Sequence, residues 1–152
     1  MKRWMSWLCA VPVVISVSTS ANTSWSVANA QTPNRAYAPI PLTPGREIND
    51  RLSDADIPTG QGNFARDYTV QLQAGDQIAI DLSSDSFDTI VTLMTTNGST
   101  VAENDDGPDG TTNSLLFTRI TRTGNYIVRV KAFGETAGGP FKLRLTRLRP
   151  VQ

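Results

Sequence analysis

The sequence predicts an all-β fold: an antiparallel β-sandwich of jelly-roll type with seven to eight short strands. Three observations predict it. Between residues 46 and 149 apolar residues recur at every second position in short runs, the period of a half-buried strand. Turn-forming residues separate these runs at roughly 8–12-residue spacing, as in β-sandwiches. No helical period is visible in this range.

The first three strands are identified by this alternation. Ile48 and Leu52 mark a weak first strand. The second strand ends at the turn Ala74-Gly75-Asp76, and the third follows that turn directly. The apolar positions of the second and third strands share one face in each: Phe64, Tyr68, Val70 and Leu72, then Ile78, Ile80 and Leu82.

The fourth strand is predicted to lie in the centre of a sheet. Residues 89–94 are apolar on both faces, which is typical of a strand covered on two sides. Asn97-Gly98 then predicts a type I′ hairpin turn, in which both central residues have positive φ. Val101 and Ala102 continue the partner strand into an acidic loop.

The remaining strands follow that loop. Leu115, Leu116 and Phe117 mark one strand, and residues 124–132 form the next with Arg129 and Lys131 on its polar face. After a loop at residues 134–140, the last strand places three apolar residues inward: Phe141, Leu143 and Leu145. The aromatic residues at apolar positions are assigned to the core: Phe64, Tyr68, Phe117, Tyr126 and Phe141.

The first 45 residues are predicted to precede the domain. Residues 1–30 have the charge, apolar run and Ala-x-Ala ending of a signal peptide, with cleavage after Ala30 or after Ala21. The apolar run is shorter than the roughly 20 residues that span a bilayer, so no stable membrane span is expected after cleavage. Residues 31–45 contain four prolines and are interpreted as a linker, which leaves residues 46–149 for the domain.

Composition restricts the chemistry. The only cysteine, Cys9, lies in the leader, and the chain has no histidine, so disulfides and the usual zinc ligands are missing. Residues 47–109 hold 13 acids, whereas residues 110–152 hold eight bases and one acid. The bases alternate with apolar residues along strands, so we interpret them as solvated strand faces and expect no nucleic-acid partner.

The ordered combination of motifs resembles one family. The motifs are Tyr68-x-Val70-x-Leu72-x-Ala74-Gly75-Asp76-x-Ile78-x-Ile80-x-Leu82, Phe87-Asp88-Thr89, Asn97-Gly98, Asn104-Asp105-Asp106 and Gly124-Asn125-Tyr126-x-Val128-x-Val130. This order is similar to that of the bacterial pre-peptidase C-terminal domain, from about Gly45 to Leu148. The resemblance implies a secreted β-sandwich that is usually appended to exported peptidases, and a calcium site. This chain is expected to be a stand-alone copy without a peptidase domain, located in the periplasm or outside the cell.

The acidic loop is the candidate metal site, with the ligand set Asp88, Asn104, Asp105, Asp106 and Asp109. Calcium binds six to eight oxygens from carboxylates, amides and carbonyls. The competing interpretation is a solvated turn, because Asp, Asn, Gly and Pro are also turn-forming residues. For Asp88 the alternative is a carboxylate that accepts hydrogen bonds from backbone amides. Melting curves in calcium and in chelator distinguish a metal site from a turn, and identical midpoints would exclude the metal.

No catalytic residues are predicted and the protein is not expected to be an enzyme. Without histidine or a cysteine in the domain, a nucleophilic hydroxyl would need Lys131 or Lys142 as its base, and both lie at outward strand positions. The predicted function is therefore a binding or accessory module for a protein or an envelope polysaccharide, with no cofactor other than calcium. Two alternatives stay open: a small secreted hydrolase that uses carboxylates, and an inhibitor or chaperone of a separately encoded protease.

Overall fold

The computed structural model describes residues 37–108, 110–134 and 138–148. The predicted signal peptide, residues 1–30, and residues 31–36 of the predicted linker lie outside these ranges. The described ranges contain ten strands: β1 Ile40–Pro41, β2 Glu47–Leu52, β3 Ile57–Pro58, β4 Phe64–Leu72, β5 Gln77–Ser83, β6 Thr89–Thr95, β7 Thr100–Asn104, β8 Ser114–Arg119, β9 Gly124–Ala132 and β10 Gly139–Leu148. The all-β prediction is confirmed, and the count exceeds seven to eight because β1 and β3 have only two residues each.

The strands form two sheets. Sheet A has the order β1-β4-β9-β6-β7, with β3 also paired to β4, and sheet B has the order β2-β10-β5-β8. All pairings are antiparallel except the pairing of β1 with β4. The eight longer strands, counted along the chain, thus have the orders 1-8-3-6 and 2-7-4-5, which is a jelly roll and confirms the predicted architecture.

The core lies between the two sheets and contains the side chains at every second position. Tyr68, Ile80, Val91, Val128 and Leu143 have no accessible surface. Tyr68 contacts Phe141 edge-on, with ring centroids 6.4 Å apart, and Phe141 contacts Phe87 in the same way at 6.3 Å. These aromatic contacts join the sheets at one end of the sandwich.

The free edge of β4 is covered by two short strands. Ile40 pairs with Tyr68 in β1, and Pro58 pairs with Phe64 in β3. Leu42 donates its N–H to the carbonyl of Thr69 at 2.8 Å and buries its side chain in the core. Residues 37–45, which the sequence placed in the linker, thus contribute a strand and a core side chain to the domain, and they cover an edge that would otherwise be open to another chain.

The hairpin between β6 and β7 forms, but its turn is not type I′. Gly98 has a φ of 88°, whereas no described non-glycine residue, Asn97 included, has a positive φ. The N–H of Gly98 bonds the carbonyl of Thr95 at 3.0 Å, and the N–H of Thr95 bonds the carbonyl of Ser99 at 2.9 Å. This pattern is that of a type I turn followed by a left-handed glycine. Asn97 adopts negative φ because its Oδ1 accepts the N–H of Ser99, as in an Asx turn.

Phe117 is not a core residue. Leu116 pairs with Ile80 and is buried, so its neighbour Phe117 points away from the core and leaves 62% of its surface exposed. The assignment from sequence failed because Leu115, Leu116 and Phe117 are apolar on both faces of β8, and the pattern alone does not decide which face is inward.

In the described part of the chain, no helix has the length and apolar character needed to cross a membrane.

Candidate functional site

The acidic loop after β7 is organised by Asn104. Its side-chain Nδ2 donates to the carbonyls of Asp106 at 2.9 Å and Leu115 at 2.8 Å. Its Oδ1 accepts the N–H groups of Asp105 at 3.0 Å and Asp106 at 3.3 Å. Both ends of this amide are therefore used within the loop, as expected for a residue that stabilises a turn. Asp105 and Asp106 themselves are exposed.

The other two predicted ligands have different outcomes. Asp109 lies outside the described residues. Asp88 is half-buried beside the end of the acidic loop, since the N–H of Thr89 bonds the carbonyl of Thr112 at 2.9 Å. Within the described ranges no backbone amide donates to the Asp88 carboxylate, so the hydrogen bonds of the alternative interpretation of Asp88 are not observed. Those ranges also hold no group of three potential metal-binding acids. Calcium binding stays a prediction, which the melting experiment tests.

The outer face of sheet A carries a polar row across four strands. Asp67 of β4 lies opposite Arg129 of β9, Arg129 lies opposite Thr92 of β6, and Thr92 lies opposite Glu103 of β7. Arg129 binds both oxygens of Asp67 at 2.7 Å, and Thr92 donates to Glu103 at 2.6 Å. Lys131 approaches the same Glu103 oxygen at 3.1 Å. The charges of this row are thus satisfied within the sheet.

The pKa values in this row follow from its contacts. Burial and the hydrogen bond to Asp67 raise the pKa of Tyr37 to about 12, since its hydroxyl donates to Asp67 Oδ2 at 2.6 Å. The hydrogen bond from Thr92 is the main cause that lowers the pKa of Glu103, and Lys131 adds to it. The carboxylate of Asp67 raises the pKa of Arg129. Each shift favours the protonation state that the row already uses, so these groups are suited to structure rather than to proton transfer.

A second charged cluster joins the two sheets. Arg66 of β4 binds Asp50 of β2 at 2.6 Å and Asp56 at 2.8 Å. The buried ring of Tyr68 directs its hydroxyl to the second oxygen of Asp50 at 2.7 Å. Burial raises the pKa of Asp50, but hydrogen bonds from Arg66 and Tyr68 outweigh it and lower that pKa below its ordinary value. This cluster also serves the structure, because it holds β2 against β4.

An open groove of about 500 Å³ lies at one end of sheet B. Its walls are β2, the start of β10 and the loop at residues 84–86. Ser84 donates its hydroxyl to the carbonyl of Pro140 at 2.8 Å, and a Cβ on Gly139 would lie 2.5 Å from the Cβ of Ser86. Glycine at the start of β10 therefore lets the loop approach closely. The groove presents two cations, Arg51 and Lys142, and two acids, Asp85 and Asp50, of which Asp50 is already bound to Arg66. Its remaining polar lining includes the amide of Asn49 and the hydroxyls of Ser83 and Ser86.

The aromatic residues that the sequence left outside the predicted core divide into two groups. Phe87 is buried and contacts Phe141. Tyr37 is 60% exposed but directs its hydroxyl to Asp67, and Phe133 is 54% exposed. None of the three lines the groove. The exposed aromatic residue of sheet B is instead Phe117, which the sequence assigned to the core.

The groove could not be predicted from the sequence, because its residues are distant from one another in the chain. Arg51, Ser83 and Lys142 come from three segments that are distant in the chain, and only the register of β2, β10 and β5 places them together. Their alternation with apolar residues signals an outward face but not which outward residues become neighbours. A correct strand order would have been needed first.

Comparisons with known proteins are consistent with this architecture. Residues 65–132 match the model of one protein family, the bacterial pre-peptidase C-terminal domain. No curated protein matches the chain significantly. The matched segment runs from β4 to β9 and so contains most of sheet A and its polar row, together with β5 and β8.

Two solved structures are similar in fold. One is the pre-peptidase C-terminal domain of a collagenase from Bacillus anthracis, with a TM-score of 0.56, 13% identity and coverage of 74% of this chain and 99% of the other. The second is PliG from Aeromonas hydrophila, a periplasmic lysozyme inhibitor of g-type lysozyme, with a TM-score of 0.54, 13% identity and coverage of 72% and 95%. At this identity the likeness concerns the fold alone.

Proposed function

Because this chain contains a domain of the bacterial pre-peptidase C-terminal family, we propose that it is a non-catalytic module that acts outside the cytoplasm by binding another protein. The observation that carries the proposal is the combination of this domain with a fully formed jelly roll whose groove is open to solvent. Such a groove suits a protein surface better than a small substrate, which is normally enclosed on most sides.

The structural similarities support a protein as the partner. PliG, which has a similar fold, is described as an inhibitor of a lysozyme and therefore binds a protein. The displaced pKa values do not favour acid–base catalysis. They belong to the polar row of sheet A and to the cluster around Asp50, in which each charge already has a partner inside the domain. A general acid or base needs a pKa near the working pH and a free path to the substrate.

A pull-down tests this function. The domain, immobilised on resin, is incubated with periplasmic and culture-supernatant proteins, and retained proteins are purified and titrated against it by calorimetry. We expect a purified protein to bind with saturable heat. Retention of envelope polysaccharide alone would contradict a protein partner, and so would the failure of every retained protein to bind once purified.

The hydrolase alternative has its own test. A panel of glycan and peptide substrates is incubated with the domain, and we expect no turnover. Turnover that disappears on substitution of a single aspartate would show an enzyme and overturn the proposal.

A further inference from the structure

The outer faces of the two sheets differ in how their charges are satisfied. Four of the described bases have ion pairs: Arg66, Arg129, Lys131 and Arg147. Six described bases have no ion pair: Arg51, Arg119, Lys142 and Arg144 lie on strands of sheet B, Arg46 directly precedes β2, and Arg122 lies in the loop between β8 and β9. The charges of the polar row on the outer face of sheet A are paired with one another, whereas the outer face of sheet B has positive side chains available for a partner.

The register places these bases in a defined order. Lys142 lies between Asn49 and Ser83, and Arg51 lies opposite Pro140, so both bases border the groove. Arg144 lies between two acids, Glu47 and Asp81, and Arg119 lies opposite Gln77. The outward strand positions of sheet B thus hold four bases and two acids, with Asp85 added by the loop at the groove. Asp50 also lines the groove but is bound to Arg66, so the charges of this face that have no ion pair are four positive and three negative, and the bases without a neighbouring acid on a paired strand lie at the groove and at Arg119.

An apolar contact lies along the same face. Phe117 is opposite Ala79, and Ala79 is four residues from Ser83 along β5. Four residues of strand span about 13 Å, so Phe117 is about that far from the groove. An occupant that contacts both must be extended. Phe117 and half-buried Leu115 provide an apolar surface next to Arg119.

The edge of sheet B also indicates the class of the occupant. β2 is an edge strand, and within the described ranges no backbone hydrogen bond joins it to a strand other than β10. It borders the groove through Asn49 and Arg51. The N–H of Arg51 already bonds Asp50 Oδ1 at 2.8 Å, but in the described part of the chain no strand pairs with the outer edge of β2. A sheet edge of this kind is where an extended polypeptide pairs through its backbone, whereas a polysaccharide has no repeating amide groups to form such a ladder.

We propose that the outer face of sheet B binds an acidic segment of a partner protein. The carboxylates of this segment contact Arg51 and Lys142 in the groove, and one of its apolar side chains packs on Phe117. This inference rests on the proposed function and names the surface and the chemistry of the partner. Charge complementarity supports it, because the unpaired bases outnumber the acids of this face.

A binding titration tests the surface. The probe is a fluorescently labelled peptide of alternating glutamate and leucine, followed by anisotropy in the full domain. We expect saturable binding that weakens as salt is added, since exposed charges are screened. The double variant R51E/K142E should weaken binding by about tenfold or more, and Phe117→Ala by several-fold. Absence of saturable binding to the unmodified domain would overturn the inference.

The matched control is R46E/R122E, which changes the net charge equally but replaces bases away from the groove. It should leave the affinity within about twofold, and equal losses in both double variants would reduce the effect to net charge and overturn a defined surface. Polygalacturonate serves as a competitor. Binding of this polysaccharide as tight as that of the peptide, with no effect of Phe117→Ala, would also overturn the inference. All five substitutions are at exposed positions, and unchanged melting midpoints check that the variants fold.

Failure of this inference is distinguishable from failure of the proposed function. A purified partner from the pull-down that binds R51E/K142E and the unmodified domain equally would place the interface elsewhere and leave the protein-binding function intact. A pull-down that yields no binding protein would remove the function itself.

Discussion

Asp50 shows how one carboxylate connects the two layers of the sandwich. It accepts bonds from Arg66 and from the hydroxyl of Tyr68, both of which belong to the opposite sheet. Tyr68 has no accessible surface, so its hydroxyl would be left without a partner if the carboxylate were removed. An unsatisfied buried polar group costs more than the net contribution of the bond it has lost.

Substitution Asp50→Asn should make the free energy of unfolding less dependent on pH in the acidic range. The folded pKa of Asp50 is lowered, so the unfolded chain binds its proton at the higher pH. The contribution of Asp50 is therefore complete above about pH 4, the ordinary pKa of aspartate, and is lost as pH falls through the lower folded pKa. We expect Asp50→Asn to cost about 1–3 kcal/mol at neutral pH, with a smaller difference at about pH 3.

Urea unfolding at a series of pH values measures this difference. The control is Tyr68→Phe, which removes one donor to Asp50 but keeps the aromatic contact with Phe141. It should reduce the acid-dependent difference without removing it, because Arg66 still binds the carboxylate. A cost of Asp50→Asn that stays constant from neutral pH to about pH 3 would contradict the assignment of the lowered pKa.

At the scale of strands, the polar row of sheet A contains two ion pairs that differ in burial. The Asp67 side chain is 1% exposed, whereas the Glu103 side chain is 46% exposed. A buried charge that loses its partner is strongly destabilised, and an exposed pair contributes little. The position of a pair across β4, β9, β6 and β7 therefore determines its importance.

Asp67→Asn should destabilise the domain by about 2–4 kcal/mol, because it leaves the half-buried Arg129 without its bidentate partner. Glu103→Gln is the matched control in the same row and should cost less than about 1 kcal/mol. Chemical denaturation of both variants at neutral pH provides the comparison. Equal costs would show that burial does not separate the two pairs.

The elements differ in how well the sequence predicts them. Period-two alternation was sufficient for the long strands, because β4, β5, β9 and β10 each bury one face against the same core. It was insufficient for β8, where Phe117 follows an equally apolar Leu116. At Asn97-Gly98 the hairpin was predictable but its turn type was not, since Asn97 bonds its neighbours through its side chain instead of adopting positive φ.

The candidate surface was less predictable than the fold. The acidic loop was predicted as a metal site or a turn, because Asp and Asn serve both as metal ligands and as turn residues. In the structure Asn104 uses its amide to organise the turn. The groove depends on residues distant in sequence that meet only in the register of sheet B. Patterns along the chain report which side of a strand a residue occupies, but neighbours across a sheet follow from strand order.

For the whole molecule, the segment before β2 is part of the folded domain. Leu42 belongs to the core, Ile40 and Pro41 pair with β4, and the N–H of Gly45 bonds the carbonyl of Leu145 at 2.7 Å. The segment thus contacts both sheets and covers part of the free edge of β4. A chain that begins at residue 46 would lose the buried side chain and expose that edge.

We therefore expect a variant that begins at residue 46 to be less stable than one that begins at residue 31, and to associate with itself. Loss of a buried leucine alone costs about 2–5 kcal/mol, which is a large part of the stability of a small domain. An open edge also offers unpaired backbone groups to a second molecule.

Thermal unfolding and light scattering measure the two effects, and Leu42→Ala in the longer chain separates them, because it removes the core contact but retains β1. It should lower the melting midpoint without association. A shorter chain that is as stable and as monomeric as the longer one would mean that residues 31–45 serve only as a linker.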